Sequence, residues 1–349
     1  MERQKMKKKG FTLVELLVVI AIIAMLLAIL MPALGKVRQL AQRIMCGTNL
    51  AGVGKAMLTY STDDKYESFP VAGSPGAYWN RGTGGIEGIN SWDWRNPNAF
   101  PETITIKFTT LSANLYLLVK YADVSPDQYV CPGSDQKKFE LSKYSIPTAY
   151  ATNSFTDVWD FGSRDTQKTT GSRAKGHNSY SYQLPMPIAS TGTGSGIAYP
   201  ITTTSNPARA IMADRNPYWQ TPDSATASPA RLYVWDSVGN KLKPDSIAAG
   251  NNTYHQKDGQ NVLYADQHAK FEKSANCGVE SDNIYTIWGS TTTAGYINPT
   301  TEENLRQCGI GTTMAGTTAV NPMPIQTNNE WYPRSADDNY LVSDIDKAE

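Results

Sequence analysis

An unbroken apolar run near the N-terminus constrains this chain more than any other feature. Residues 11–34 read FTLVELLVVIAIIAMLLAILMPAL, and no other stretch of the sequence is comparable. About 20 consecutive apolar residues in a helix are enough to span the hydrocarbon core of a bilayer. The run therefore predicts a helix that is long and apolar enough to cross a membrane.

The charge around this run is distributed unevenly. Residues 1–10 contribute five of the 32 Lys and Arg side chains and one of the 32 Asp and Glu side chains, so the remainder carries a net charge of −4. A basic segment before an apolar helix is typical of the cytoplasmic side of a membrane. The mildly acidic remainder has no footprint for nucleic acid, and we expect no such partner.

Glu15 places a carboxylate inside the apolar run. A charge at the centre of a bilayer costs about 3 kcal/mol on the mildest scales, and less near an end. Residues 11–34 contain no Lys or Arg that could compensate it. A cleavable secretory signal and a plain transmembrane anchor both remain open as explanations of the run, but neither gives Glu15 a role.

Residues 10–15, Gly-Phe-Thr-Leu-Val-Glu, resemble the type III signal of the prepilins, which are the precursors of type IV pilins and of type II secretion pseudopilins. The resemblance implies that a prepilin peptidase cuts between Gly10 and Phe11 and methylates the new N-terminus. It also implies that Glu15 of one subunit pairs with the Phe11 amine of its neighbour. A desolvated carboxylate gains most from a cation at fixed geometry, so this pair would set the register between stacked helices.

Residues 35–61 predict an amphipathic continuation of the helix. Apolar residues recur at three- and four-residue steps, and residues 11–61 as one helix would be about 75 Å long. We expect the second half to bind the chain's own domain and the first half to bind neighbouring subunits. Pro32 predicts a kink, and Gly47, Gly52 and Gly54 leave a break near 47–54 open. The predicted apolar stripe consists of Val37, Leu40, Ile44, Val53, Met57 and Tyr60.

Residues 62–349 predict an α+β domain, in which the long N-terminal helix packs on an antiparallel β-sheet with long loops. One further helix is predicted at Leu111–Lys120. Segments 188–207 and 289–320 are rich in Thr, Gly and Ser and predict long surface loops. Content of β-branched and aromatic residues predicts strands at Thr103–Thr109, Ala208–Asp214, Arg231–Trp235, Asn261–Ala265 and Ala269–Glu272.

The four cysteines form no CxxC pair, which argues against zinc-ribbon and thioredoxin-like sites. An even number of cysteines in an exported chain favours disulfides, and four cysteines allow three connectivities. We favour Cys46 with Cys131 and Cys277 with Cys308. Four buried free thiols remain the alternative.

A second resemblance lies in residues 255–271. They are similar to the terminal motif of a pilin-like family of Planctomycetes and related bacteria, in which nine residues separate a histidine from Asp-Gly. Here ten residues separate His255 from Asp266, and Gln267 replaces the glycine. Because a type I′ turn needs positive φ at both central residues, we expect a turn of another type. Residues 46–60 and Cys131-Pro132 also resemble that family.

Two groups of side chains raise the possibility of a metal. His255, Asp258, Asp266 and His268 offer nitrogen and oxygen ligands for zinc, although we favour the simpler interpretation that these are polar groups of a hairpin bonding its backbone. The acidic tail offers oxygen ligands for calcium, which the resemblance to major pseudopilins also implies; we favour a solvated, partly disordered tail over a calcium site. The tail candidates are Asp337, Asp338 and Asp344. Calcium apart, we expect no cofactor.

We predict a filament subunit and not an enzyme. No serine has a nucleophile-elbow setting, and Gly192–Gly196 lacks the strand, helix and lysine of a phosphate loop. The expected location is the inner membrane, with residues 62–349 in the periplasm or at the cell surface. Expected partners are other pilin subunits, the prepilin peptidase, an inner-membrane assembly platform and lipid. The alternative is an anchored carbohydrate-binding module with an aromatic platform formed by Tyr78, Trp79, Trp92, Trp94 and Tyr180.

Overall fold

The computed structural model describes residues 13–72, 79–80, 111–143, 154–161, 177–183, 185, 188–190, 193–194, 199–217, 235–236, 241–242, 248, 250–285, 336–337 and 341–342. Two α-helices lie in these ranges, α1 (Leu13–Asp63) and α2 (Leu111–Tyr121). The strands are β1 (Trp79–Asn80), β2 (Tyr180–Gln183), β3 (Ile188–Ser190), β4 (Thr193–Gly194), β5 (Ala210–Asp214), β6 (Trp235–Asp236), β7 (Lys241–Leu242), β8 (Gln260–Tyr264), β9 (Ala269–Glu272) and β10 (Leu341–Val342).

Helix α1 is 51 residues long and contains Pro32 without ending there. Contacts divide the chain into residues 1–42 and residues 43–349. In the first unit the apolar side chains of α1 are exposed; Leu17, Ile22 and Leu26 each leave 55% of their surface accessible. Within the described part of this unit, residues 13–42, these exposed side chains have no apolar partner.

The second half of α1 buries one face in the domain. Cys46, Leu50, Val53 and Met57 are fully buried at successive steps of four, three and four residues, which is the spacing of one helical face. The predicted stripe is correct for Val53 and Met57 but wrong for Ile44, which is exposed; Val37 and Leu40, in the first unit, are exposed as well.

The glycines of α1 do not break the helix, so the suggested break at 47–54 is wrong. They mark where the helix backbone comes close to the domain. A Cβ at Gly47 would lie 3.1 Å from Asn261 Oδ1, and a Cβ at Gly54 would lie 2.8 Å from Leu263 Cδ1. A Cβ at Gly52 would lie 3.0 Å from the Gln128 side chain. Tertiary packing therefore outweighs the low helix propensity of glycine here.

The main sheet is antiparallel and has the strand order β10-β2-β5-β8-β9. Every residue of its three inner strands β2, β5 and β8 is buried. With α1 this sheet forms the predicted α+β arrangement. Strand β9 has the predicted bounds, and β5 and β8 differ from prediction by at most two residues. Strand β2 was not predicted, and the predicted strand at 103–109 lies outside the described residues.

Strands β8 and β9 form a hairpin whose turn contains one left-handed residue. Gln267 N donates to Tyr264 O at 2.9 Å, and Gln267 has a φ of 72°. Asp266 has no positive φ, so the turn is not of type I′, as the sequence predicted. A β-turn followed by a left-handed residue is typical of three-residue hairpin loops, in which glycine usually takes that position.

Alanine substitutions at two glycines of α1 test how closely the helix backbone approaches the domain. Gly54→Ala gains about 1 kcal/mol of helix propensity, but overpacking against buried Leu263 costs about 1–3 kcal/mol, so we expect a net loss of stability. Gly35→Ala is the control, because nothing apart from its chain neighbours and the backbone of its own helix lies within 4 Å of a Cβ there. Denaturant unfolding of the full chain in detergent measures the free energy of unfolding of both variants. Equal stability of the two variants would contradict this packing.

Buried phenols predict a loss of stability in alkali. Burial, aided by Asp64 and Tyr121, raises the pKa of Tyr60 to about 12. Unfolded tyrosine loses its proton near pH 10, so the unfolded state then binds fewer protons and the free energy of unfolding falls as pH rises further. Burial is also the main cause that raises the phenol pKa values of four further tyrosines, Tyr116, Tyr129, Tyr180 and Tyr182.

Above pH 10, we expect each buried phenol to lower the free energy of unfolding by about a further 1.4 kcal/mol per pH unit. Burial lowers the pKa of Lys120 to about 8. Between pH 8 and about 10.4 the unfolded state therefore binds more protons at this lysine, so Lys120 makes the free energy of unfolding rise with pH. Denaturant unfolding combined with tyrosinate absorbance from pH 8 to pH 12 measures the effect. Full ionisation of the tyrosines near pH 10 in a still folded chain would contradict their burial.

Candidate functional site

Glu15 lies in the first turn of α1 and is exposed together with its apolar neighbours. Leu13 and Val14 leave 78% and 68% of their surface accessible. By length and composition, α1 could cross a membrane, and it lies near the N-terminus. The predicted processing residues Gly10 and Phe11 lie outside the described residues.

A disulfide joins α1 to the domain. Cys46 on the buried face of α1 is bonded to Cys131, with a Cα–Cα distance of 5.3 Å. Cys131 follows a short 3₁₀ turn, Pro126–Tyr129, whose first residues are capped by the Ser125 side chain. Ser179 Oγ accepts a hydrogen bond of 2.9 Å from Cys131 N. This is the first of the two cysteine pairs that the sequence favoured.

Beside the disulfide lies a buried pair of titratable side chains. Asp214 Oδ2 is 3.1 Å from His255 Nε2, and this nitrogen is 3.9 Å from Cys131 Sγ. Asn261 holds the same carboxylate oxygen through its backbone N at 2.6 Å and its Nδ2 at 3.0 Å. Asp214 ends β5 and Asn261 is in β8, so the pairing of these strands brings the groups together.

The outer side of His255 is covered by groups from α1 and β9. The ring of Phe271 lies 6.0 Å from the His255 ring in an edge-on arrangement. The Arg43 guanidinium stacks on Phe271 at 4.8 Å, contacts His255 O at 3.4 Å and forms an ion pair with Asp258. We call Cys46, Cys131, Asp214 and His255 the junction cluster; all four side chains are buried.

The predicted hairpin metal group is divided among three places. His255 belongs to the junction cluster, whereas Asp258 pairs with Arg43. Asp266 and His268 contact each other through a carboxylate oxygen and Nδ1 at the exposed turn, and His268 stacks on Tyr264 with ring centroids 4.5 Å apart. Within the described ranges the junction cluster is the one group whose ligand atoms could share an ion.

The remaining candidates are described only in part. Asn206 Nδ2 donates to Asp337 Oδ1 at 3.3 Å, while Asp338 and Asp344 lie outside the described residues. Cys277 has a free thiol, and burial raises its pKa to about 12; its suggested partner Cys308 lies outside the described residues. Of the suggested aromatic platform, Tyr180 is fully buried and cannot face a sugar. Tyr78, Trp92, Trp94 and the Trp79 side chain lie outside what is described.

Sequence analysis missed Asp214 and Asn261. Neither belongs to a local motif, because each gains its role from a partner on another strand. The available signal was weak: Asp214 ends the apolar strand Ala-Ile-Met-Ala-Asp, and a buried carboxylate requires compensating donors. Asn261 lies within the hairpin motif, where the local pattern indicates only a strand residue.

Comparison with known protein families gives a match at the N-terminal end of this chain. Residues 5–31 match the family described as the prokaryotic N-terminal methylation motif. The chain therefore carries a pilin-type N-terminal signal, which points to a structural subunit and to processing by a prepilin peptidase. No curated protein and no solved structure matches. The similarity of the hairpin to the Planctomycetes family stays a prediction.

Removing the disulfide tests how strongly it holds the junction. Cys46 and Cys131 are 85 positions apart, and closing a loop of that size stabilises a fold by up to about 4–5 kcal/mol in the chain-entropy account. We expect Cys46→Ala with Cys131→Ala to lose about 2–5 kcal/mol in denaturant unfolding.

The matched control for the disulfide is Cys277→Ala. Because Cys277 has a free thiol, its replacement should cost far less stability than the loss of the Cys46–Cys131 bond in the paired variant. An equally large loss would favour the Cys277–Cys308 disulfide, and no loss in the paired variant would contradict a stabilising Cys46–Cys131 bond.

Proposed function

We propose that the mature chain is a structural subunit of a type IV pilus-like or type II secretion pseudopilus filament. The observation that carries this proposal is the methylation motif at residues 5–31, which coincides with an apolar helix exposed along its first half. A signal for processing and a surface for helix association therefore occupy the same segment.

The exposed half of α1 needs an apolar environment. Burying one Leu, Ile or Val side chain contributes about 1.5–3 kcal/mol, and α1 exposes many such residues between Leu13 and Leu34. Lipid meets this requirement before assembly. In a filament, the corresponding helices of neighbouring subunits meet it, so the transfer from membrane to filament exchanges one apolar environment for another.

Glu15 supplies the selectivity that apolar contacts lack. Apolar helices can slide along one another at small cost, whereas a carboxylate in an apolar environment requires a cation at one position. In the proposed filament the methylated amine of Phe11 in the neighbouring subunit is that cation. The pair fixes the axial step between subunits and penalises assembly out of register.

The proposed topology places residues 1–10 in the cytoplasm and residues 62–349 in the periplasm or at the cell surface. The five basic residues before Phe11 support this orientation, and the Cys46–Cys131 disulfide fits an oxidising compartment. The proposed partners are the prepilin peptidase, the inner-membrane assembly platform and other pilin or pseudopilin subunits. The domain would decorate the outside of the filament.

Neutralising Glu15 tests the assembly role. We expect Glu15→Gln to reduce filament yield more than about 100-fold, because removing one partner of a buried ion pair costs about 3–5 kcal/mol. Electron microscopy and the sheared-filament fraction measure yield. Glu140→Gln, which removes an equal charge from an exposed site in the domain, is the control and should assemble normally.

Mass spectrometry of both variants separates assembly from processing. Both mature variants should begin with N-methylated Phe11, because cleavage takes place between Gly10 and Phe11 and neither substitution changes these two residues. Normal filaments from Glu15→Gln would refute the pairing. A mature N-terminus elsewhere than Phe11 would refute the prepilin-type processing.

A further inference from the structure

We propose that the junction cluster binds a zinc ion when its disulfide is reduced. The chain would then have two alternative cross-links at one place: a covalent bond between Cys46 and Cys131, or one metal held by Cys46, Cys131, Asp214 and His255. This inference concerns the domain alone and does not depend on filament assembly.

The spacing of the donors suits a tetrahedral ion. One ligand atom from each of the four side chains lies within 4.8 Å of all the others. With metal–ligand bonds of 2.0–2.3 Å, the ligand atoms of a tetrahedral zinc site are separated by about 3.3–3.8 Å. His255 Nε2 is 3.1 Å from Asp214 Oδ2 and 3.9 Å from Cys131 Sγ, so these two separations lie close to the tetrahedral range. The two sulfur atoms, bonded to each other in the oxidised chain, would move apart once their bond is reduced.

A buried oxygen of Asp214 gives independent support. The side chain of Asp214 is fully buried, and its Oδ1 has no hydrogen-bond partner among the described residues. A buried polar group left unsatisfied costs about 1–3 kcal/mol, and more when it is charged. A cation within the cluster would compensate this carboxylate.

The surroundings of the cluster resemble the support that metal ligands usually have. Asn261 fixes Asp214 Oδ2 through two hydrogen bonds, which is the kind of outer contact that orients a ligand. Phe271 and Arg43 cover His255. Two thiolates and an imidazole select zinc over magnesium or calcium, which prefer oxygen ligands.

The chemistry requires a two-electron reductant. A dithiol would reduce the Cys46–Cys131 bond, becoming a disulfide itself and leaving two thiols on the chain. Zinc binding then displaces the two thiol protons, and His255 binds as neutral imidazole. The newly made chain, before oxidation, would reach the same reduced state without a reductant.

Metal analysis of the full chain in detergent tests the proposal. Cys277→Ala and Cys308→Ala in the starting protein leave only the junction thiols. After reduction with a phosphine, incubation with zinc and gel filtration, we expect about one zinc per reduced chain and none per oxidised chain. Cobalt should give thiolate charge-transfer and tetrahedral ligand-field bands in the reduced protein only.

Two histidine variants identify the site. His255→Gln should weaken zinc binding at least about tenfold. Removing a residue that only hydrogen-bonds to a metal ligand already lowers metal affinity by about 10–100-fold, and His255 would be a ligand itself. His268→Gln, at the exposed turn of the same hairpin, should leave it unchanged. Asp214→Asn, which keeps the size of the side chain, should also weaken binding.

Three outcomes would overturn the proposal. They are equal zinc binding by the oxidised chain, equal losses in the two histidine variants, and a reduced chain that takes up no zinc whether or not it stays folded. Circular dichroism of the reduced chain with and without zinc accompanies each measurement. Refolding of a loosened reduced chain on zinc addition would support the site, because structural zinc couples binding to folding.

Discussion

The domain depends on how closely the second half of α1 approaches the β8–β9 hairpin. Gly47 and Gly54 allow the helix backbone to come close to Asn261 and Leu263. A Cβ at position 54 would collide with Leu263, and one at position 47 would crowd the Asn261 side chain. The same approach buries Cys46 within bonding distance of Cys131. Packing, covalent linkage and the polar contacts of Asn261 are therefore consequences of one short distance between helix and sheet.

The close contact between α1 and the β8–β9 hairpin explains which parts of the fold could be predicted from the sequence. The second half of α1 and strand β9 follow from local periodicity and composition. The continuity of α1 through its glycines does not, because propensity favours a break and only the facing hairpin reverses that preference. Strand β2 was missed because Ser181 and Gln183 are polar yet buried; Ser181 Oγ accepts from Asn216 N at 2.8 Å, a partner that no local pattern indicates.

The same reasoning separates the two parts of the candidate site. Glu15 could be identified from sequence, because the cost of a carboxylate in an apolar run depends only on its immediate neighbours. Asp214 could not, because its environment is created by His255 and Asn261 after β5 and β8 pair. Proximity along the chain does not imply a shared site either: His255 and Asp266 belong to one hairpin motif but have different partners.

The position of the disulfide also decides how the domain would respond to tension. Cys46 is the first buried residue of α1, so a pull along the helix axis would enter the domain there. From Cys46 the load would pass through the sulfur–sulfur bond to Cys131, bypassing the intervening chain that includes α2 and the glycine contacts of α1. Those weaker contacts would stay mechanically shielded for as long as the bond is intact, and would have to carry the full force once it is cut.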